Sequence, residues 1–312
     1  MNPSIEGLAC LWMAWIINAA WPIWGRIGVS RMSTTLFLEI SLWISFAFLL
    51  PALLREGRFR SILSREYRSR LFTMAALSSG LASLLYIGAL VYTTPADAAI
   101  VAQLEILYSA LLSRWMLREK ITPPQMAASA LILSGTLLIM GNGFQSGHWK
   151  GDLMIALSPW LYQLSHVMVK RLPSGLDALS LAGARSFYAA LFLMPFAAFT
   201  LMTGGAVFPR ASSTAWILIV QGVVISALNM VFWYGAIRRM DLSKATAILL
   251  SYPAATLLLS WRLGFESIGP AKIAGLVLAV AGASWLSRLT APAGAQPQTR
   301  PREAAAAGSP TQ

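Results

Sequence analysis

Four polar side chains of this chain fall inside long apolar runs, away from any stretch that could reach water: Glu105, Gln163, His166 and Arg185. An ionisable group at the centre of a bilayer costs about 2.5–3.5 kcal/mol on insertion scales, so each needs a partner or a wet cavity. A carboxylate at position 105 could hold a substrate ammonium or carry a proton. The competing reading is a buried carboxyl satisfied by a neighbour such as Tyr108. Arg185 suits a substrate carboxylate as well as it suits a structural ion pair with Glu39, which the sequence places in the equivalent helix and which reads as structural. His166 shares a helical face with Gln163 and Tyr162. A single histidine is more often a satisfied hydrogen-bonding group than a ligand, so it ranks below Glu105.

Aromatic and amide groups accompany these four. Trp12 and Trp15 share one face of the first apolar run, and Asn18 continues it at i+3 spacing. Trp43 and Trp160 also lie deep, and Tyr86, Asn229, Trp233 and Tyr252 are further candidates. An aromatic wall with a few polar groups suits a flat, partly apolar ligand, although any one of these residues could equally serve helix packing. Pro22 and Pro253 each free a backbone carbonyl, those of Asn18 and Leu249, which marks their helices as bent and cavity-lining. Catalytic chemistry has little to work with. One cysteine (Cys10) and two histidines (His148, His166) give no disulfide framework and no zinc site of clustered Cys and His. No cofactor, metal or catalytic residue is expected, and an intramembrane enzyme is the remote alternative.

The elements that must hold these residues follow from composition. Of 312 residues, 57% are apolar and 12% charged, about half the charge of a soluble domain. Runs of about 20 apolar residues cross a bilayer as helices. Ten are expected, near 5–29, 33–54, 71–91, 95–116, 123–141, 151–171, 175–201, 214–237, 242–263 and 269–287. The fold class is therefore an all-α polytopic membrane protein. Thr94-Pro95-Ala96-Asp97 resembles a capping box that starts the fourth span, and Asp241 would cap the ninth. Glu119 and Glu266 read as loop closures, and His148 as an uninformative loop residue. Trp115, Trp149, Trp216, Trp261 and Trp285 fall near span ends, as interfacial anchors do. Residues 291–312, rich in Pro, Ala, Gly and Gln, read as a disordered tail.

The net charge of +12 reads as topology. No basic residue precedes Arg26, so the first span is expected to stay as a helix and not to be cleaved. Seventeen of the 24 basic residues lie on the side that holds both termini, six on the other, and Arg185 within a span. Basic loops stay inside, so both termini are expected in the cytoplasm of an inner membrane, against anionic lipid. Nucleic acid is excluded as a partner, because no soluble face interleaves basic and stacking groups.

Sliding the chain on itself by 147 residues superposes Gly88-Ala89 on Gly235-Ala236, Ser113 on Ser260, and Gly135 on Gly282. Between them, Glu119-Lys-Ile-Thr-Pro123 meets Glu266-Ser-Ile-Gly-Pro270 as E-x-I-x-P. The organisation expected is a first five-helix repeat over 1–145 and a second over 146–290. An odd number of spans per half forces the second half in upside down. Inverted repeats place a small-molecule site near the midplane and expose it to each side alternately, which implies a transporter.

Ten spans in two such halves, each closing on E-x-I-x-P with a glycine in the next helix, resemble the drug/metabolite transporter superfamily, EamA type, over roughly residues 5–287. The chain looks most like that family's aromatic amino-acid exporter branch. The resemblance implies that helices 5 and 10 are peripheral while the others surround a central cavity. It also implies export of aromatic or other neutral amino acids by alternating access, with efflux of cationic amphipathic drugs as the alternative. On that reading Glu105 holds the ammonium, Asn18, Gln163 or Arg185 lies near the carboxylate, and proton exchange at Glu105 competes with passive flow. The chain departs from the family pattern at Ile106, where relatives commonly carry a helix-bending proline. The second half keeps that proline as Pro253.

Overall fold

The computed structural model describes residues 3–55, 57–117, 122–172, 176–205, 207, 212–239, 245, 249, 252–265 and 267–290. These are helical with short connections, and no strand occurs among them. In chain order the helices are α1 (Pro3–Val29), α2 (Thr34–Arg55), α3 (Arg58–Leu63), α4 (Arg68–Ala75), α5 (Ser83–Ala89), α6 (Pro95–Val101) and α7 (Leu104–Leu117). They continue as α8 (Pro123–Ser146), α9 (Trp149–Lys170), α10 (Ala178–Met202), α11 (Ser212–Ile219), α12 (Asn229–Arg239), α13 (Pro253–Arg262) and α14 (Pro270–Thr290). Among the described residues five stretches are long and apolar enough to cross a membrane: Ile5–Val29, Thr34–Arg55, Arg68–Ala89, Ala178–Met202 and Thr214–Arg239. The chain is a multi-pass membrane protein. Glu119, Asp241, Glu266 and residues 291–312 lie outside the described residues.

Two expected spans are not simple α-helices. α4 runs into α5 through a π stretch at Ala76–Ala82, and α11 runs into α12 through another at Val220–Leu228. A π turn widens the helix by one residue and turns backbone carbonyls out of line. Side chains take up some of that slack: the Ser83 hydroxyl donates to the Ser78 carbonyl at 3.3 Å, and Ser78 to the Met74 carbonyl at 2.7 Å.

The fourth expected span, 95–116, divides into α6 and α7 at Ala102–Gln103. No proline causes this. The backbone tightens instead, with Gln103 N–H donating to Ile100, Glu105 N–H to Ala102 (2.9 Å) and Ile106 N–H to Gln103. Each bond reaches back three residues, so the break leaves these groups paired, as a bilayer interior demands. Thr94 caps α6, accepting from the Asp97 N–H at 3.2 Å with Pro95 in the first turn. At Pro253 the freed Leu249 carbonyl is re-paired with the Tyr252 N–H at 3.2 Å.

α8 and α14 pack along each other through two glycines. A methyl on Gly135 would meet the Gly275 carbonyl at 2.6 Å and the Ala279 nitrogen at 2.7 Å. A methyl on Gly282 would meet the Ile132 nitrogen at 2.8 Å and the Ala128 carbonyl at 2.9 Å. Small residues let backbones approach this closely inside a membrane. The basic connection after α2 forms α3, anchored where the Tyr188 hydroxyl donates to the Ile62 carbonyl at 2.8 Å.

Candidate functional site

α1, α2, α5, α7, α9, α10, α12 and the two π stretches converge on a central cavity. Its volume is about 100 Å³, below the roughly 300–1,000 Å³ of a site that holds a drug-sized ligand. Glu105 enters it in the first turn of α7, just past the tightened break. Its Oε1 accepts from Gln163 Nε2 at 2.7 Å and stands 3.7 Å from His166 Nδ1, both on α9. Arg185 enters from α10 and is buried. Its Nε donates to Ser79 Oγ at 2.5 Å, and a terminal nitrogen to the Tyr234 hydroxyl at 3.1 Å. The guanidinium also stands 6.0 Å from the centre of the Tyr162 ring. Glu105 and Arg185 thus face one cavity, each held by neutral groups and neither ion-paired to the other.

The remaining wall alternates aromatic and amide groups. Trp21 lines the cavity and stacks on Tyr86 at 4.4 Å between ring centres, inclined by 11°. Asn18 Nδ2 donates to Asn229 Oδ1 at 3.0 Å and to the Ala14 carbonyl at 2.7 Å, which ties α1 to α12. Trp233 packs its ring 5.5 Å from that of His166. Its indole N–H is buried and has no hydrogen-bond partner, and the same holds for Gln221 Oε1. A buried polar atom left unpaired costs about 1–3 kcal/mol.

A second polar cluster stands where α6, α9 and α14 begin. Asp97, buried, pairs with Lys272 Nζ at 2.9 Å and with His148 Nδ1 at 3.4 Å, while Thr93 donates to Asp152 at 2.5 Å. The hydrogen bond that His148 donates to Asp97 raises the His148 pKa; burial and Lys272 oppose it, and Asp152 adds to it. His148 therefore keeps its proton to higher pH in the folded chain than in the unfolded one. That stabilisation is full below the ordinary imidazole value of about 6.5 and disappears as pH rises through the higher native value. Melting temperature in detergent should fall as pH rises above about 6.5, and His148→Asn should flatten that slope. A slope unchanged in the variant would assign it to another group.

The EamA-like transporter family model matches this chain twice, over residues 5–141 and 149–288. The chain belongs to the EamA-like transporter family. It is a transporter and not an enzyme. A probable terminal-alkyne amino-acid exporter from Streptantibioticus cattleyicolor is 25% identical over 200 residues, which cover 64% of this chain and 66% of that relative. The match thus spans slightly less than two thirds of that exporter's length. A solved structure described as "Crystal structure of protein" shares the fold with a TM-score of 0.66 at 18% identity, covering 93% of this chain and 98% of that one.

Within this EamA-like transporter, the cavity collects Glu105, His166, Arg185, Asn18, Asn229 and Trp233 from the residues expected at the site. Tyr86 and Tyr252 are buried just behind its lining, Tyr86 under Trp21 and Tyr252 against Ala19 and Ile106. Gln163 is buried and its Nε2 donates to Glu105, which orients the carboxylate, while its own Oε1 has no hydrogen-bond partner. Tyr108, the expected partner of Glu105, donates to the Ala156 carbonyl at 2.8 Å instead. Glu39 and Arg185 are not paired: Glu39 accepts from Trp43 Nε1 at 2.8 Å.

Three tryptophans fall elsewhere. Trp12 is 47% exposed on the outer surface, and Trp15 packs edge-on against it and behind Tyr252. Trp160 stands at the surface, edge-on to Tyr108. Lipid accepts an indole as readily as a cavity does, so spacing alone cannot choose the face. Trp12→Ala and Trp160→Ala should leave apparent substrate affinity within about twofold of wild type, measured as flux in proteoliposomes. Sequence reading missed Trp21, Ser79, Ser83 and Gln221. Only Trp21 carried a signal, three residues after Asn18 and just before Pro22.

Proposed function

We propose that this chain exports zwitterionic metabolites, aromatic or other neutral amino acids, across the inner membrane by alternating access. The observation that carries the reading is one cavity presenting the largely enclosed Glu105 carboxylate and the buried Arg185 guanidinium, each hydrogen-bonded to uncharged groups and neither within ion-pairing distance of the other. A zwitterion satisfies both at once, its ammonium at Glu105 and its carboxylate at Arg185. Trp21, Tyr162 and Trp233 supply the aromatic surface for its side chain. A purely cationic drug would leave Arg185 uncompensated and repelling, which favours the amino acid. The amino-acid exporter relative supports the same choice.

Alternating access rests on two inverted five-helix halves, 1–145 and 146–290, making ten spans in all. Several features support the repeat. The family model matches twice, in two stretches of similar length. The tight turn from Glu105 N–H to Ala102 recurs 147 residues later, from Tyr252 N–H to Leu249. Gly135 meets residues 275 and 279, while Gly282, its partner under the same shift, meets 128 and 132. Interchanging the halves therefore reproduces the contact. The excess of basic residues in the loops on one side supports both termini lying in the cytoplasm, against anionic lipid.

The test is flux of a substrate panel in proteoliposomes, with and without a pH gradient. Saturable transport of aromatic amino acids supports the reading, and acceleration by the gradient adds proton exchange at Glu105. Transport of quaternary cations with none of amino acids would replace it.

A further inference from the structure

A second opening, of about 640 Å³, lies at the end of α1 remote from the N-terminus. Arg26, Val91, Thr94, His148, Ser267 and Lys272 are among the residues around it. With both termini in the cytoplasm, as proposed above, this vestibule faces the outer side. About one helical turn separates it from the central cavity. Trp21 and Ile87 line the cavity, while Arg26 and Val91, five and four residues further on, line the vestibule. That is about 6–8 Å at 1.5 Å per residue.

The outer ends of the helices around this wall fall into two groups by their contacts. α5, α6, α9 and α14 are bound together by Asp97 to Lys272 and His148, and by Thr93 to Asp152. Gly151 on α9 lies so close to α5 that a methyl there would meet the Ala89 carbonyl at 2.8 Å. α1, α2, α10 and α11 form the other group. Trp24 Nε1 donates to the Ile217 carbonyl at 3.1 Å, Ser33 Oγ donates to the Gly205 carbonyl at 2.8 Å, and the Thr35 and Thr200 hydroxyls pair at 2.8 Å. The groups meet at the wall. A methyl on Gly25 would touch the side-chain tips of Leu90 and Ile87 at 2.7 and 2.8 Å, and Arg26 donates to the Leu90 carbonyl. Leu90 and Ile87 are fully buried. Ion pairs and backbone contact hold one side of this seam and three hydrogen bonds the other, whereas aliphatic tips and one hydrogen bond cross it. Pro22 stands three residues before Gly25 and removes a backbone bond, so α1 can bend there.

We propose that substrate leaves the cavity through this vestibule, and that the seam of Gly25 and Arg26 on Leu90 is its outer gate. This deepens the export reading and rests on it, since that reading sets the direction of travel. To open, Arg26 releases the Leu90 carbonyl and the end of α1 swings away from α5 about Pro22, drawing α11 with it through Trp24. The cavity then joins a space within the size range of small-molecule sites. Water in the vestibule can pair the released carbonyl, so opening leaves no buried polar group unpaired.

The experiment locks the seam. In a Cys10→Ala background, Gly25→Cys with Leu90→Cys places two thiols where one Cβ already met the other side chain, within reach of a disulfide. Oxidation should cut amino-acid flux in proteoliposomes by about tenfold or more, and reduction should restore it. Full flux with the disulfide formed overturns the gate. If the pair does not oxidise, or is inactive when reduced, single cysteines decide. In intact cells a membrane-impermeant thiol reagent should label Val91→Cys about tenfold faster or more than Ile87→Cys, because the closed seam lies between them. Equal rates overturn the gate. A wild type that moves no amino acid overturns the amino-acid reading instead, while the two labelling rates still report the seam.

Discussion

Glu105→Gln is expected to reduce flux of a zwitterionic substrate by about 100-fold or more while the protein still folds and reconstitutes. The substitution keeps the volume of the side chain and removes its charge, and Gln163 can still donate to the new amide oxygen. What disappears is the counter-charge for the ammonium, in a cavity where Arg185 would then stand alone and repel it. Glu105→Ala should be at least as damaging, since it also strips Gln163 Nε2 of its acceptor. Size-exclusion profiles separate lost transport from lost fold. Unchanged flux in both variants would remove Glu105 from the site.

The second large effect falls on stability. Gly135→Ala and Gly282→Ala each push a methyl into backbone, at 2.6–2.7 Å and 2.8–2.9 Å respectively. Backbone atoms cannot swing aside as a side-chain tip can, so α8 and α14 must separate. Each change should cost about 1–3 kcal/mol, seen as a fall in melting temperature in detergent. The double variant should cost less than the two singles added together, because the first substitution already opens the interface that the second would strain. Full additivity would mean that the two glycines act in separate contacts.

Much of the site was legible because the bilayer penalises charge. Glu105 and Arg185 stand out in apolar runs, and the structure brings both to one cavity. Orientation around each helix was less legible. In water a polar face marks the outside, but here both lipid and cavity accept tryptophan, and Trp12 and Trp160 turned outward for that reason. Hydroxyls such as Ser79 and Ser83 carry no signal, since serine is unremarkable anywhere in a membrane helix. The break before Glu105 was also hidden. Its counterpart is announced by Pro253, whereas the first half makes its turn with Ala102 and Gln103, residues that elsewhere sit inside ordinary helices. Neither π stretch announces itself, because a wide turn needs no particular residue type.

Those two wide turns leave the helices they interrupt with rotational slack. A π turn stores one residue more than an α turn, so tightening it to α rotates everything beyond it by about 100° about the helix axis. Ser79 and Gln221 each sit within such a turn and line the cavity, the first touching Arg185. A wide turn can migrate along its helix by exchanging one carbonyl partner at a time, without opening the backbone to lipid. Such migration would turn the side chains between its old and new positions about the helix axis while the helix ends stay seated.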